Sequence, residues 1–246
     1  GGAPVADTES IKRVAKRVVE TEKKGNKVAV VVSAMGDTTD DLIDQALSID
    51  SNPPEREMDM LMTAGERISM SLLAMAIHAE GSRAHSFTGQ QAGFFTDARY
   101  GAAHIKAVRP DRVKNALSLG DIAIVAGFQG INAKGDATTL GRGGSDTSAV
   151  ALAVALGADI CEIYTDVDGI FTADPRIVPS ARRIPSIDYE SILEMASCGS
   201  KVLALRCVEY AQRFNMPLHV RSSFSRRPGT LVVPAGIDPR TLPNLD

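Results

Sequence analysis

The chain has 246 residues, 44% of them hydrophobic, enough to bury a sizeable core in one domain or in two lobes that share a sheet. Its formal net charge of −3 offers no clustered cations for nucleic acid or for an anionic membrane. Cys161, Cys198 and Cys207 form no CxxC pair, so we expect reduced thiols and no zinc site. No apolar run has the length of a membrane-spanning helix. We therefore expect a cytoplasmic protein with a small-molecule partner, no nucleic acid and no membrane.

Helix and strand patterns alternate along the chain. Apolar spacing predicts helices over residues 7–25, 39–48, 54–78, 110–119, 145–156 and 201–214. Apolar runs predict strands buried on both faces at 27–33, 121–127, 159–165 and 216–222. A hairpin is predicted within 93–108, and the Arg-, Pro- and Gly-rich composition from Ser225 onward suits a linker or tail better than a core element. The alternation predicts an α/β fold, with a mainly parallel central sheet between two layers of helices.

The segment TTLGRGGSDTSAV, residues 138–150, follows a buried strand and enters an Ala-rich helix. Its glycines let backbone N–H groups approach an anion, and Ser145 and Asp146 would lie on the first turn, where the helix dipole attracts negative charge. Arg142 adds a planar fork for an oxyanion. The alternative is an ordinary glycine-rich turn with Ser145 as the N-cap. The combination of Arg, Ser and Asp around the glycines favours an anion site.

A second loop, residues 33–39, leaves the carboxyl end of the first clear strand. Ligands bind at such strand ends in α/β sheets. The residues that could hold phosphate oxygens or an ammonium group are Ser33, Gly36, Asp37, Thr38 and Thr39. The alternative is a capping segment in which Thr38 or Thr39 is the N-cap of the next helix.

A third loop, residues 164–176, follows another predicted strand. Asp166 and Asp168 could bind Mg²⁺ or a ribose, and Thr172, Asp174 and Arg176 could line a nucleotide pocket. Taken alone, such a segment is more often a solvated acidic loop than a site, but its length and mixed charge strengthen the case for a site.

Two charged residues lie within or beside predicted helices. Glu66 follows small residues that would let a ligand approach, although a surface carboxylate paired with Arg67 or with a neighbouring turn is the better explanation of this residue taken alone. Lys201 opens a helix, where a cation opposes the dipole, so we expect an anion beside it. The histidines have no metal-ligand spacing, and no Walker A sequence is present.

Taken together, the sequence resembles aspartate kinases of the amino-acid kinase superfamily, in their actinobacterial form. The matching segments cover almost all of residues 1–233 and include VVSAMGDTTDDL, DMLMTAGERIS, SFTGQQAG, TTLGRGGSDT, EIYTDVDGIFTADPRIV and GSKVL. The resemblance implies an αβα sandwich with an amino-acid lobe at about 1–135 and a nucleotide lobe at about 136–233. Residues 234–246 would then be a tail or linker.

The resemblance implies that ATP and L-aspartate give ADP and 4-phospho-L-aspartate, the first step toward lysine, threonine and methionine. It assigns catalytic roles to Gly2, Arg142 and Asp146. On the aspartate side it assigns Ser33, Asp37, Thr38, Thr39, Glu66, Arg142, Gly143, Gly144 and Ser145. On the ATP side it assigns Gly1, Gly2, Ser33, Ser145, Thr165, Asp166, Phe171, Thr172, Ala173, Asp174, Pro175, Arg176 and Lys201.

Within this assignment Arg142 would grip a carboxylate, Glu66 would face the α-ammonium group and Asp146 would organise the site. The nucleophile is the carboxylate of the substrate, which is already ionised at neutral pH, so no catalytic base is required. Mg²⁺ would accompany ATP, and no protein ligand is assigned to it. A homodimer is expected.

The sequence departs from the family pattern at its start. Family members begin with a strand and a phosphate-contacting lysine ahead of a glycine pair, whereas this sequence opens on Gly1-Gly2-Ala3-Pro4. We expect residues upstream of Gly1, and lower activity because Ala3 and Pro4 replace hydroxyl residues. The ACT-type regulatory domains of aspartate kinases would lie beyond residue 246. Alternatives are a catalytically impaired homologue that serves as a nucleotide-binding or assembly subunit, and a kinase of the same fold for another amino-acid carboxylate.

Overall fold

A computed structural model describes residues 5–199 and 202–243. The helices are α1 (Thr8–Lys23), α2 (Thr38–Ile49), α3 (Glu55–Met62), α4 (Ala64–Ala79), α5 (Asp111–Ser118), α6 (Gly144–Leu156), α7 (Tyr189–Ser197) and α8 (Leu205–Arg213). The strands are β1 (Ala29–Val32), β2 (Ala84–Phe87), β3 (Phe94–Thr96), β4 (Ile105–Val108), β5 (Ile122–Ala126), β6 (Gln129–Ile131), β7 (Ala137–Thr139), β8 (Cys161–Thr165), β9 (Ser186–Asp188), β10 (Leu218–Ser222) and β11 (Thr230–Val233). A 3-10 helix covers Pro239–Thr241.

The strands form three hydrogen-bonded ladders. One is entirely parallel, with the order β1-β5-β2. A second has the order β8-β10-β11-β9, with β8 and β10 parallel to each other. The third has the order β4-β3-β6-β7 and contains the predicted hairpin as the antiparallel pair β3 and β4. The predicted α/β class with a parallel sheet is confirmed.

Strand β5 shows the three layers most clearly because every one of its residues is buried. Successive side chains of a strand point to opposite faces of its sheet. Ile124 shares a core cluster with Leu73 of α4. Its neighbour Val125 shares another cluster with Val113 of α5 and Leu152 of α6. The parallel ladder is therefore covered by α1 and α4 on one face and by α5 and α6 on the other.

The second ladder has its own core, in which β8, β10 and β11 pack against α7 and α8. Helix α6 belongs to both cores. Its Leu152 lies in the cluster beside the parallel ladder, whereas Val150 and Ala153 lie in the cluster beside β8 and β10. The division into two lobes near residue 135 stays a prediction, and α6 is the element that any such lobes share.

The helix predicted over 54–78 is broken at Thr63, the boundary between α3 and α4. By length and composition alone, the run Glu55–Ala79 could cross a membrane. In the structure α4 instead buries Met70, Leu73 and Ile77 in the cluster that it shares with α1 and β5.

The interpretation of everything beyond Ser225 as linker or tail is wrong for Thr230–Val233. These residues form β11, which pairs with β10 and β9 and buries Thr230, Val232 and Val233. The short apolar run is flanked by Arg, Pro and Gly, so the composition of the surrounding segment concealed it.

Candidate active site

Two of the predicted loops meet at one edge of the parallel ladder. Val32, the last residue of β1, is in register with Ala126, the last residue of β5. The next residue, Gly127, donates its N–H to the carbonyl of Val32 at 3.0 Å. A Cβ built on Gly127 would lie 3.0 Å from Oγ of Ser145. The loop after β1 and the first turn of α6 therefore lie side by side, close enough to contact one bound molecule.

The glycine-rich loop begins α6 without a side-chain cap. Gly143 is the N-cap residue, with a left-handed φ of 72°. Ser145 is thus in the first turn, as predicted for an anion site, and the alternative of Ser145 as N-cap is wrong. A Cβ on Gly143 would lie 2.5 Å from the Cβ of Ala204, the N-cap of α8, which also has no side-chain cap. Two helix N-termini are therefore adjacent, and both attract anions.

The charged residues of this loop differ in exposure. The side chain of Arg142 is exposed, and it forms no ion pair within residues 5–199 and 202–243. Asp146 is half-buried in the first turn of α6, and this burial raises the pKa of its carboxyl group. Gly144 is buried against Phe128, and a Cβ there would lie 2.8 Å from that ring. The loop thus presents a free guanidinium beside a helix N-terminus.

Glu66 is buried in the first turn of α4, with 3% of its surface exposed. Burial raises the pKa of its carboxyl group to about 7, although the N–H of Ala34 donates to it. Its Oε2 has no hydrogen-bond partner in the described part of the chain. The alternative of a surface glutamate paired with Arg67 is wrong. A buried, unpartnered carboxylate oxygen is costly in the free protein and is compensated when a cation binds.

The loop after β1 lies directly on α4. A Cβ on Gly65 would lie 2.7 Å from the Cβ of Ala34, so this small residue is required for packing rather than for ligand access. Asp37 is the N-cap residue of α2, and it makes no side-chain capping bond. Thr38 and Thr39 are in the first turn, so neither is the N-cap. Ser33 lies between β1 and this turn, beside the edge that β1 and β5 share.

The third loop leaves the second ladder. Thr165 ends β8 in register with Ser222, which ends β10, and the carbonyl of Thr165 accepts the N–H of Ser223 at 2.9 Å. Asp166 is exposed beyond it. Phe171 forms an isolated bridge with Arg183. Further along the loop lie the half-buried Ala173 and the exposed Pro175.

Several side chains of this loop are already paired. Asp174 and Arg176 form an exposed, two-bond ion pair with distances of 3.1 and 2.9 Å, which lowers the pKa of the Asp174 carboxyl group. Thr172 accepts the N–H of Arg182 at 3.0 Å. Asp168 accepts hydrogen bonds from Ser225 and Arg227, which leaves Asp166 as the freer carboxylate for a ligand. In the described residues, no cluster of three His, Cys, Asp or Glu side chains could hold a metal ion.

Gly1, Gly2 and Lys201 lie outside the described residues, as do Ala3 and Pro4.

The sequence matches the model of the amino acid kinase family over residues 1–222. The chain belongs to the amino acid kinase family.

Its relatives include actinobacterial aspartokinases. The aspartokinase of Mycolicibacterium smegmatis is 64% identical over 233 residues, which cover 94% of this chain and 55% of the relative. The crystal structure of aspartate kinase from Synechocystis has a TM-score of 0.85 and 48% identity, and the match covers 96% of this chain and 39% of that one. Aspartokinase III of E. coli, in complex with aspartate and ADP, has a TM-score of 0.84 and 28% identity, and the match covers 97% of this chain and 64% of that one. The chain thus spans about half the length of the curated relatives it matches.

Two residues of this member of the amino acid kinase family were not singled out from its sequence. Phe128 has a positive φ of 71°, rare for a residue with a bulky side chain, at the carboxyl end of β5. The sequence offered one signal for Phe128: it follows a buried strand, and ligands bind at the carboxyl ends of strands in α/β sheets. The loop after β1 is predicted as a site for the same reason. Asp59, the second residue, is buried in α3. Nothing in the sequence around it indicated burial.

Proposed function

We propose that this chain is the catalytic domain of an aspartate kinase, which transfers the γ-phosphoryl group of ATP to the side-chain carboxylate of L-aspartate. The observation that carries the proposal is the buried, unpartnered oxygen of Glu66. It is adjacent to the loop after β1, which lies beside the first turn of α6, and the exposed Arg142 belongs to the glycine-rich loop that begins this helix. A buried anion and a free cation at one edge match the ammonium and carboxylate groups of an amino acid. The similarity to aspartokinases supports aspartate as that amino acid.

In this proposal the two charged residues orient the substrate. Arg142 binds a carboxylate of aspartate through its planar fork, and Glu66 accepts hydrogen bonds from the α-ammonium group. Ser33, Asp37, Thr38 and Thr39 surround the amino acid from the loop after β1 and the start of α2. The acceptor carboxylate is thereby directed toward the N-terminus of α6, where Gly143, Gly144 and Ser145 lie.

The chemical step needs positioning and charge compensation more than proton transfer. A carboxylate oxygen of aspartate attacks the γ-phosphorus, and the bond between that phosphorus and the bridging oxygen of ADP breaks. The adjacent N-termini of α6 and α8 would stabilise the negative charge on the transferring group. Asp146, in the first turn of α6, would organise the site, and Gly2 and Lys201 would contribute from segments outside the described residues.

ATP would lie along the loop that contains Thr165, Asp166, Phe171, Thr172, Ala173, Asp174, Pro175 and Arg176. Mg²⁺ typically binds nucleotide phosphates and water with few protein carboxylates. When bound, it would neutralise charge on the phosphates. We assign no protein ligand to it.

The decisive experiment traps the acyl phosphate with hydroxylamine in the presence of Mg-ATP. We expect a hydroxamate with L-aspartate and none with L-glutamate or N-acetyl-L-aspartate, which lacks the ammonium group that Glu66 would bind. A hydroxamate with another amino acid alone would identify a kinase of the same fold for a different acceptor. No hydroxamate with any acceptor, together with measurable ATP binding, would identify an impaired homologue, the alternative that Ala3 and Pro4 suggest.

The cellular context is part of the same proposal: a cytoplasmic enzyme at the entry to lysine, threonine and methionine synthesis. We also propose a homodimer, association with an ACT-type regulatory region, and the division into lobes near residue 135 with a tail from residue 234. Sedimentation velocity of the purified chain tests the dimer, and a monomer at all concentrations would contradict it.

A further inference from the structure

Asp59 is a carboxylate with 2% of its surface exposed, on a helix that the proposed mechanism does not use. Both of its oxygens accept the N–H of Gly101 at 3.0 Å. Its Oδ2 also accepts the N–H of Thr139 at 2.9 Å, and its Oδ1 accepts the hydroxyl of Thr139 at 2.8 Å. Hydrogen bonds to a charged, buried acceptor are among the stronger ones in proteins. Asp59 thus fixes two segments that are distant from it in sequence.

The two fixed segments flank the glycine-rich loop. Thr139 is the last residue of β7, three residues before Arg142. The carbonyl of Gly101 would lie 3.3 Å from a Cβ on Gly141, so the hairpin tip that Asp59 holds lies against the loop itself. The N–H of Ala103 also donates to the carbonyl of Thr139 at 2.9 Å, which joins the two segments directly.

The same helix pair carries the other charged residue of the proposed amino-acid site. Helix α3, with Asp59, is followed after Thr63 alone by α4, with Glu66 in its first turn. The hydrogen bonds between Asp59 and Thr139 therefore link α3, and through it the helix of Glu66, to the strand that leads into the loop of Arg142. Gly141 and Gly143 occupy the left-handed region, with φ of 78° and 72°, between this anchored strand and α6.

We propose that Asp59 is a positioning residue that holds Arg142 at a fixed distance from Glu66, so that both ends of the amino acid are bound at once. This inference rests on the proposed function. The proposal implies a specific defect. Without Asp59 the glycine-rich loop no longer holds Arg142 in place, so aspartate binds more weakly, whereas ATP binding is unaffected.

The first test compares Asp59→Asn with Asp188→Asn. Asp188 is a matched control because it caps α7 by accepting the N–H of Ser191 at 2.7 Å, far in sequence from the proposed amino-acid site. The amide introduced by Asp59→Asn would place an NH₂ group against the groups of Gly101 and Thr139 that now donate to the carboxylate. We expect Asp59→Asn to raise the KM for aspartate about tenfold or more and to leave the KM for ATP within about threefold, because misplaced orienting groups cost binding and rate. Asp188→Asn should leave both constants within about twofold while lowering Tm.

The second test is a double-mutant cycle with Arg142→Lys, which keeps a charge but loses the guanidinium fork. If Asp59 acts through Arg142, adding Asp59→Asn to Arg142→Lys should lower kcat/KM for aspartate by less than about twofold further. Full additivity of the two effects would overturn the proposal, because a general loss of stability adds independently of Arg142.

Should Asp59→Asn fail to fold, the pair Thr139→Val and Thr139→Ser tests the same contact more gently. Thr139→Val removes the hydroxyl that donates to Asp59, and Thr139→Ser keeps it. We expect the valine variant alone to raise the KM for aspartate, by about threefold or more. Equal constants for both variants would overturn the proposal. Absence of turnover by the unmodified chain would instead refute the proposed function, so the two failures are distinguishable.

Discussion

The proposed amino-acid site and the proposed nucleotide loop differ in how their charges are satisfied. At the edge shared by β1 and β5, Glu66 has an oxygen without a partner in the described chain, and Arg142 forms no ion pair there. In the loop after β8, Asp174 and Arg176 bind each other, and Asp168 binds Arg227. The first region leaves charge for a ligand to neutralise, whereas the second, apart from the exposed Asp166, pairs these charges internally.

This contrast indicates where ligand-binding energy would arise. A ligand that pairs with the buried Glu66 removes a large desolvation cost, so changes there should have large effects. An exposed pair such as Asp174 and Arg176, in which Arg176 is 87% exposed, contributes little to stability and can reopen to meet a phosphate or ribose at small cost. Substitutions at the proposed amino-acid site should therefore have larger effects than substitutions in the proposed nucleotide loop.

Removing the guanidinium has the largest expected effect. Arg142→Ala should lower kcat/KM for aspartate by about 1,000-fold or more, since the substrate carboxylate loses its charged two-bond partner and its orientation for attack. ATP affinity should stay within about threefold, measured by titration calorimetry. Unchanged aspartate kinetics would refute the role of Arg142, and a parallel loss of ATP affinity would place it at the nucleotide instead.

The buried carboxylate comes next. Glu66→Gln keeps the shape and removes the charge, so we expect the KM for aspartate to rise about 100-fold with the KM for ATP unchanged. Glu66→Asp is the matched control, because it retains the charge on a shorter side chain and should lose less. Equal effects of the two variants would show that size, not charge, matters at this position.

The pH dependence of stability separates Glu66 from exposed carboxylates. Its pKa is raised from 4.5 to about 7 in the folded chain, so the folded state binds a proton that the unfolded state has released between these values. The free energy of unfolding should therefore fall as pH rises from 4.5 to 7, and it should do so less steeply in Glu66→Gln. At pH 8 the variant should be more stable by roughly 1–3 kcal/mol, measured by urea unfolding. A less stable variant at pH 8 would contradict the burial of an uncompensated charge.

Smaller effects are expected in the nucleotide loop. Arg176→Ala should raise the KM for ATP about tenfold and leave the KM for aspartate unchanged, with Tm almost unaltered because the pair is exposed. Asp168→Asn is the control, because it loses its bonds to Ser225 and Arg227 and should lower Tm while leaving both KM values within about threefold. If Asp168→Asn raised the KM for ATP and Arg176→Ala lowered only Tm, Asp168 would be the nucleotide-binding residue and Arg176 the structural one.

The contrast also explains what could be predicted from the sequence. Local signals located α1, whose N-cap Asp7 binds the N–H of Ser10 at 2.7 Å, and the valine-rich β1. They also placed the loops at strand ends, because βαβ order fixes that topology. Strand β11 was missed, since four residues between Arg, Pro and Gly carry too little periodicity.

Whether a charged side chain is free or paired depends on contacts with residues that are distant in sequence. Burial of Glu66 requires the loop at Ala34 to close over α4, and Asp168 meets Arg227 across 59 residues of sequence. Asp59 likewise reaches Thr139 across 80 residues. Local patterns carry no information about such pairs, so the sequence located candidate residues without distinguishing ligand-binding charges from internally paired ones.

The most direct test of the central claim is a crystal structure of the chain with L-aspartate and a non-hydrolysable ATP analogue. We predict that the α-ammonium group lies within hydrogen-bond distance of Oε2 of Glu66, a carboxylate lies on Arg142, and the terminal phosphate lies at the N-termini of α6 and α8. Aspartate bound elsewhere, with Oε2 of Glu66 still unpartnered, would contradict the claim.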